Sequence, residues 1–218
     1  MKERLAMATW PVENDRSRFF PADQAKGAFS LLELLLVVAL LVVVTTLYWG
    51  RGSGNRERSK LESCQLNLEK IFIALQIYAN DSQGYFPLTN GAGSSEEALD
   101  KLVPRYTVDT HLFICPGSKD PLPPEGESFG HRKISYAYYM GWKATNTEAA
   151  LVSDRQVNAL SKAAGQPAFS STGDPPGNNH QNKGGNFLFV DGHVAPSPPN
   201  SAFSLALPQS VSLLNPKP

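Results

Sequence analysis

Residues 29–49 read FSLLELLLVVALLVVVTTLYW, 21 residues with a single charge, Glu33, and neither Pro nor Gly. A helix over such a block rises about 30 Å, the thickness of a bilayer's hydrocarbon core. A core helix in a globular domain keeps a polar stripe, whereas residues 34–44 are apolar all round. A cleaved secretory signal has a shorter apolar centre ending in a small-residue site. Here the block runs instead into Thr45, Thr46, Tyr48 and Trp49, an interfacial aromatic ending. It reads as a retained transmembrane helix. Arg16, Arg18 and Lys26 precede it and Arg51, Arg56, Arg58 and Lys60 follow, so charge alone leaves its sidedness open.

The rest of the composition excludes several classes. The 218 residues carry 20 Lys+Arg against 20 Asp+Glu, so there is no basic excess and nucleic-acid binding is not expected. With 41% hydrophobic residues the chain is not wholly disordered. Two cysteines without a CxxC spacing make neither a disulfide framework nor a zinc ribbon.

Glu33 is the exceptional residue of the block. A carboxylate in hydrocarbon costs on the order of 2.5–3.5 kcal/mol, which makes an intramembrane acid a functional candidate unless it lies near enough to the interface to stay hydrated. A free α-amino group, created by a cut just before Phe29, would be a suitable counter-charge.

The run Lys26-Gly27-Ala28-Phe29-Ser30-Leu31-Leu32-Glu33 resembles the signal of type IV prepilins and type II secretion pseudopilins. The resemblance implies cleavage by prepilin peptidase between Ala28 and Phe29, with Gly27 just before the site, and N-methylation of Phe29. It also implies an N-terminus inside the cell, which settles the sidedness. Ala28 stands where the family usually has Gly; cutting after Gly27 instead would move Glu33 from the fifth mature position to the sixth.

Beyond the block, Gly50-Arg51-Gly52-Ser53-Gly54-Asn55 is unfavourable to helix. Leu61, Cys64, Leu68, Ile71, Leu75 and Tyr78 then recur at helical spacing, predicting an amphipathic helix over 55–80 that stops in the Asn80–Gly84 turn cluster. Ser94-Ser95-Glu96-Glu97 fits a capping box opening a short helix to about Val103. Strands are expected at 111–115, 134–140, 151–153, 187–190 and 193–195, with Asp191-Gly192 as a hairpin turn between the last two. Residues 196–218 hold six prolines and read as a mostly extended tail.

The organisation expected is a leader over 1–28, a transmembrane helix over 29–49, an extracytoplasmic domain over 50–195 and the tail. Its class is α+β. The resemblance implies a pilin-like fold, a long N-terminal helix packed on a small antiparallel sheet. Further patches resemble G-type pseudopilin-like proteins: Cys64 to Asp81, Gly84-Tyr85-Phe86-Pro87, Phe113-Ile114-Cys115-Pro116, and Asn179-His180 with Asn186 to Val194. The last is like the processing-associated H-X9-DG element, although ten residues separate His180 from Asp191 here.

Among the chemical candidates, Cys64 and Cys115 are a pair for which a disulfide or two buried thiols are both open. His180, Asp191 and His193 with Asp154 form a candidate zinc or iron set. By resemblance to G-type pseudopilins, calcium at Asp154, Asp174 or Asp191 is a second candidate. No nucleophile or phosphate-loop motif stands out, so an enzyme is not expected.

The expected function is a structural subunit of the inner membrane, single-pass with its C-terminal domain periplasmic. Its expected partners are copies of itself and other pseudopilins, prepilin peptidase and the assembly platform. The alternative is a membrane-anchored periplasmic metal-dependent enzyme or ligand-binding module.

Overall fold

The computed structural model describes residues 30–49 and 53–218. The chain divides into two compact units, Met1–Gly50 and Arg51–Pro218. The processing residues Gly27, Ala28 and Phe29 lie outside the described residues, as does the leader.

In the first unit a helix α1 runs over Leu31–Trp49. Ser30 caps it: its carbonyl accepts the Leu34 N–H at 3.1 Å and its Oγ accepts the Glu33 N–H at 3.2 Å. The apolar side chains of α1 from Leu31 to Leu47 are exposed. The two polar hydroxyls near its end bond within the helix, Thr45 Oγ1 to the Val42 carbonyl at 2.9 Å and Thr46 Oγ1 to the Val43 carbonyl at 2.8 Å. At 19 residues the helix rises about 28 Å, a little less than the 21-residue block would. Among the described residues no helix is long and apolar enough to cross a membrane.

The second unit is α+β. Helix α2 covers Ser53–Asp81, beginning two residues before the expected start and running through Gly54 and Asn55. Cys64, Leu68, Ile71 and Leu75 are fully buried along the predicted face, with Leu61 and Tyr78 half-buried at its ends. Helix α3 occupies Ser95–Leu99 and continues as a 3-10 turn over Asp100–Leu102. Ser94 is its N-cap, and the Glu97 carboxylate reaches back to the Gly93 N–H at 3.1 Å and the Ser94 hydroxyl at 3.2 Å.

A five-stranded antiparallel sheet carries the domain. Its strands are β1 (Tyr136–Met140), β2 (Ala150–Asp154), β3 (Gly185–Phe189), β4 (Val194–Ser197) and β5 (Ser212–Leu214), in the order β4-β3-β2-β1-β5. Side chains alternate across the sheet as the pleat requires. Tyr136, Tyr138, Leu188 and Leu214 join the α2 side, whereas Ala137, Tyr139, Phe187, Phe189 and Leu213 face a second core with Ala168, Phe169, Leu205 and Val211. A register shift between Ala150 and Val152 places Leu151 and Val152 both on the α2 side.

Two local expectations are corrected. The run 111–115 is not a strand but a 3-10 turn over Thr110–Phe113, because the Asp109 carboxylate accepts the His111 N–H at 3.2 Å and winds the chain there. The segment 196–218 is largely irregular, yet it is packed. Its proline-free piece Ser212-Leu213-Leu214 pairs with β1 (Tyr138↔Leu214, Tyr139↔Leu213, Met140↔Ser212), and Leu205, Val211 and Leu213 cover the second sheet face.

Candidate functional site

Four side chains from separate parts of the second unit converge in its interior. Cys64 comes from the buried face of α2, and Cys115 from the loop after the 3-10 turn. Asp154 ends β2, and His180 sits on the turn 178–181 before β3. One ligand atom from each lies within 4.8 Å of all the others. All four are at most 1% exposed. Among the described residues no other group of three or more His, Cys, Asp or Glu side chains is gathered this closely.

Asp154 is the hub. Its Oδ1 accepts the Asn179 side-chain amide at 2.8 Å, and its Oδ2 accepts the Asn186 backbone N–H at 2.8 Å. His180 Nε2 lies 3.3 Å from Asp154 Oδ2 and 3.3 Å from Cys115 Sγ. Cys64 Sγ is 3.3 Å from Asp154 Oδ1 and 3.2 Å from the Tyr136 hydroxyl, and the Gly117 N–H donates to Cys115 Sγ at 3.3 Å. His180 Nδ1 is buried without a hydrogen-bond partner among the described residues.

The surrounding sequence fixes these positions. Asn179 Nδ2 also donates to the Ser135 carbonyl at 2.8 Å, which ties the histidine turn to the entry of β1. Asn186 Nδ2 donates to the Leu61 carbonyl at 3.2 Å, and its Oδ1 accepts from Gln65 Nε2 at 3.1 Å, which ties β3 to α2. Gly117 is required by close approach: a Cβ there would collide with the Asn179 carbonyl and the His180 ring.

The electrostatics follow from burial and proximity. Burial alone would push the Asp154 carboxyl up, but the adjacent His180 and the donated hydrogen bonds hold it below the usual carboxylate range. Burial would push the His180 imidazole down; the Asp154 carboxylate overrides this and raises it to about 10. Burial and the neighbouring Cys115 thiol push the Cys64 thiol up. The Tyr136 phenol is raised by burial first and then by the neighbouring Cys64.

Of the metal candidates from the sequence, the structure joins Asp154 with His180, and with them the two cysteines considered separately as a pair. Cys64 and Cys115 are free thiols here. Asp191 and His193 are engaged elsewhere. Their side chains pair at 2.6 Å on the exposed turn between β3 and β4, where Asp191 Oδ1 also accepts the His193 N–H at 3.1 Å. The His193 ring stacks on Phe189 with centroids 4.2 Å apart. Asp174 is exposed at the edge of a cavity of about 1110 Å³, whose wall also includes Gly117, Asn179, Lys119 and Arg155. Among the described residues neither Asp174 nor Asp191 belongs to a group of three or more His, Cys, Asp or Glu side chains.

Asn179, Asn186, Tyr136 and Gly117 were not singled out as site residues. The available signal was polarity in buried surroundings: Asn186 is the second residue of a strand whose residues are all buried, and such a side chain must find partners. Neither a protein-family model, nor a curated protein, nor a solved structure matches the chain.

Proposed function

We propose that this chain is a pilin-like structural subunit, anchored in the inner membrane and assembled through its N-terminal helix into a type II secretion pseudopilus or a type IV pilus-like fibre. The observation that carries the reading is α1: a capped helix with its apolar side chains exposed and one acid, Glu33, in its first turn. With Phe29 and Ser30 before it, the apolar block has 21 residues. That is enough to span the hydrocarbon core when the side chains facing lipid are apolar and the hydroxyls bond within the helix.

In this reading prepilin peptidase cuts between Ala28 and Phe29. The methylated Phe29 amine of one subunit then meets Glu33 of its neighbour. Bringing the two charges together in hydrocarbon removes the cost of burying each alone, so the stagger that pairs them is favoured over others. The α+β unit, whose five-stranded antiparallel sheet and α2 suit a pilin-like domain, forms the periplasmic or outer surface of the fibre.

A catalytic role for the buried cluster has less support. A catalytic metal keeps one position open to water or substrate, and all four side chains here are enclosed.

The test is N-terminal mass spectrometry of the membrane-extracted protein from a cell with active prepilin peptidase. A mature chain beginning at methylated Phe29 is expected. An intact Met1 would overturn the proposal.

A further inference from the structure

We propose that Cys64, Cys115, Asp154 and His180 bind one zinc ion that locks the α+β unit together. Four donors suit the tetrahedral site zinc takes in structural positions, and thiolate, imidazole and carboxylate are its ordinary ligands. The geometry is close to that of a loaded site. For bonds of about 2.0–2.3 Å the edges of a tetrahedron are about 3.3–3.8 Å. With Asp154 Oδ2 as the carboxylate ligand, the edges from His180 Nε2 to Oδ2 and to Cys115 Sγ are 3.3 Å and the edge from Cys64 Sγ to Oδ2 is 3.6 Å.

The groups around the donors favour the same assignment. A zinc site is held by outer hydrogen bonds that orient its ligands. Here Asn179 and Asn186 fix the Asp154 carboxylate, and the Gly117 N–H points at Cys115 Sγ. The Tyr136 hydroxyl lies against Cys64 Sγ. Hydrogen bonds received by sulfur stabilise thiolate, the form that binds metal. On binding, the two thiols and the His180 imidazolium each release a proton, so that the sulfurs bind as thiolates and the imidazole as the neutral ring. Gly117 and Asn179 also line the neighbouring cavity, which gives an ion a side from which to enter.

The consequence is mechanical. The four ligands, at 64, 115, 154 and 180, tie α2 to the end of β2 and to two loops. A disulfide between Cys64 and Cys115 would join only two of these segments.

The experiment is elemental analysis with thiol counting on the full-length protein, extracted without chelator from cells grown with ordinary trace zinc. It is repeated on Cys115→Ser and His180→Ala, each checked for folding by circular dichroism. About one zinc per chain in the wild type, lost in folded forms of both variants, is expected. Should a variant not fold, cobalt exchanged into the wild-type protein must show thiolate-to-cobalt charge-transfer absorption. Metal-free wild type, whether with a Cys64–Cys115 disulfide or with two free thiols, overturns the proposal, as does zinc retained at full stoichiometry in both variants or cobalt bound without thiolate absorption. None of these outcomes bears on cleavage at Phe29, so the assembly reading stands or falls separately.

Discussion

Ser30 Oγ accepts the Glu33 backbone N–H across 3.2 Å, so the lone acid of the apolar block stands at the third position of a capped helix. Serine followed three residues later by glutamate is the pattern of a capping box, and an acid in the first turn also complements the helix dipole. Glu33 therefore has a local use besides the pairing with Phe29 that we propose for it. Glutamine serves the box as well as glutamate does, but it has no charge to offer a neighbouring amine. Glu33→Gln should leave α1 and membrane retention intact while sheared fibres fall by about tenfold or more, given that about 1.4 kcal/mol suffices for a factor of ten. Fibre yield by shearing and immunoblot, against subunit in the membrane fraction, measures this; unchanged yield would leave Glu33 with the cap alone.

Glu96 is the buried carboxylate that fastens the end of the chain. It is 1% exposed, and its Oε1 accepts the Ile134 N–H at 3.1 Å and the Lys217 N–H at 3.0 Å. Replacing it by alanine strands two donors in the interior, at about 1–3 kcal/mol each. Glu96→Gln keeps an acceptor and should lose less than half as much. Urea unfolding of the detergent-solubilised chain, followed by near-ultraviolet circular dichroism, gives the midpoints. Equal midpoints for wild type and Glu96→Ala would show that the tail does not depend on this carboxylate.

That attachment of the tail marks where the sequence stops being readable. The face of α2 was legible because Cys64, Leu68, Ile71 and Leu75 repeat at a local period that burial follows directly. Strands β1 to β4 were legible as apolar runs between turn residues, and Asp191-Gly192 as the link between β3 and β4. The partner of Ser212-Leu213-Leu214 was not, because pairing with β1 across some seventy residues leaves no local trace among the prolines. The same limit applies to the cluster. Each of its four members drew notice in the sequence, two as a thiol pair and two as metal ligands, but only the fold places Asp154 between Cys64 and His180. His180 and Asp191, which belong to one motif by resemblance, serve different places: a buried hub and an exposed turn.

The glycine of that motif has a physical reason to be glycine. Gly192 has φ of +94°, and a Cβ added there would lie 2.5 Å from Cε1 of Phe72 on α2. The backbone strain and the steric conflict act together, so Gly192→Ala should destabilise the unit by about 1–3 kcal/mol. Pairing the change with Phe72→Ala removes the collision but leaves the positive φ. A double-mutant cycle in urea should therefore show favourable coupling, with Gly192→Ala costing less in the Phe72→Ala background. Equal costs in the two backgrounds would mean that Phe72 moves aside freely.

Lys162 contributes a pH dependence of its own. It is 4% exposed, and its Nζ donates to the carbonyls of Asn158 at 3.0 Å and Leu160 at 2.8 Å, with no carboxylate among its partners in the described residues. Burial brings its ammonium down to about 8 from an ordinary value of 10.5. Between those two pH values the unfolded chain holds a proton that the folded chain has released, so stability contributed by this residue rises with pH across that window. Below pH 8, both states are protonated and the contribution is flat. The slope is bounded by about 1.4 kcal/mol per pH unit, and solvent reaching the amine keeps it lower. The stability difference between wild type and Lys162→Met, measured by urea unfolding at a series of pH values, should move in favour of wild type from pH 8 upward and level off near 10.5. A difference that stays constant across the window would show that the amine titrates in the folded chain as it does in the unfolded one.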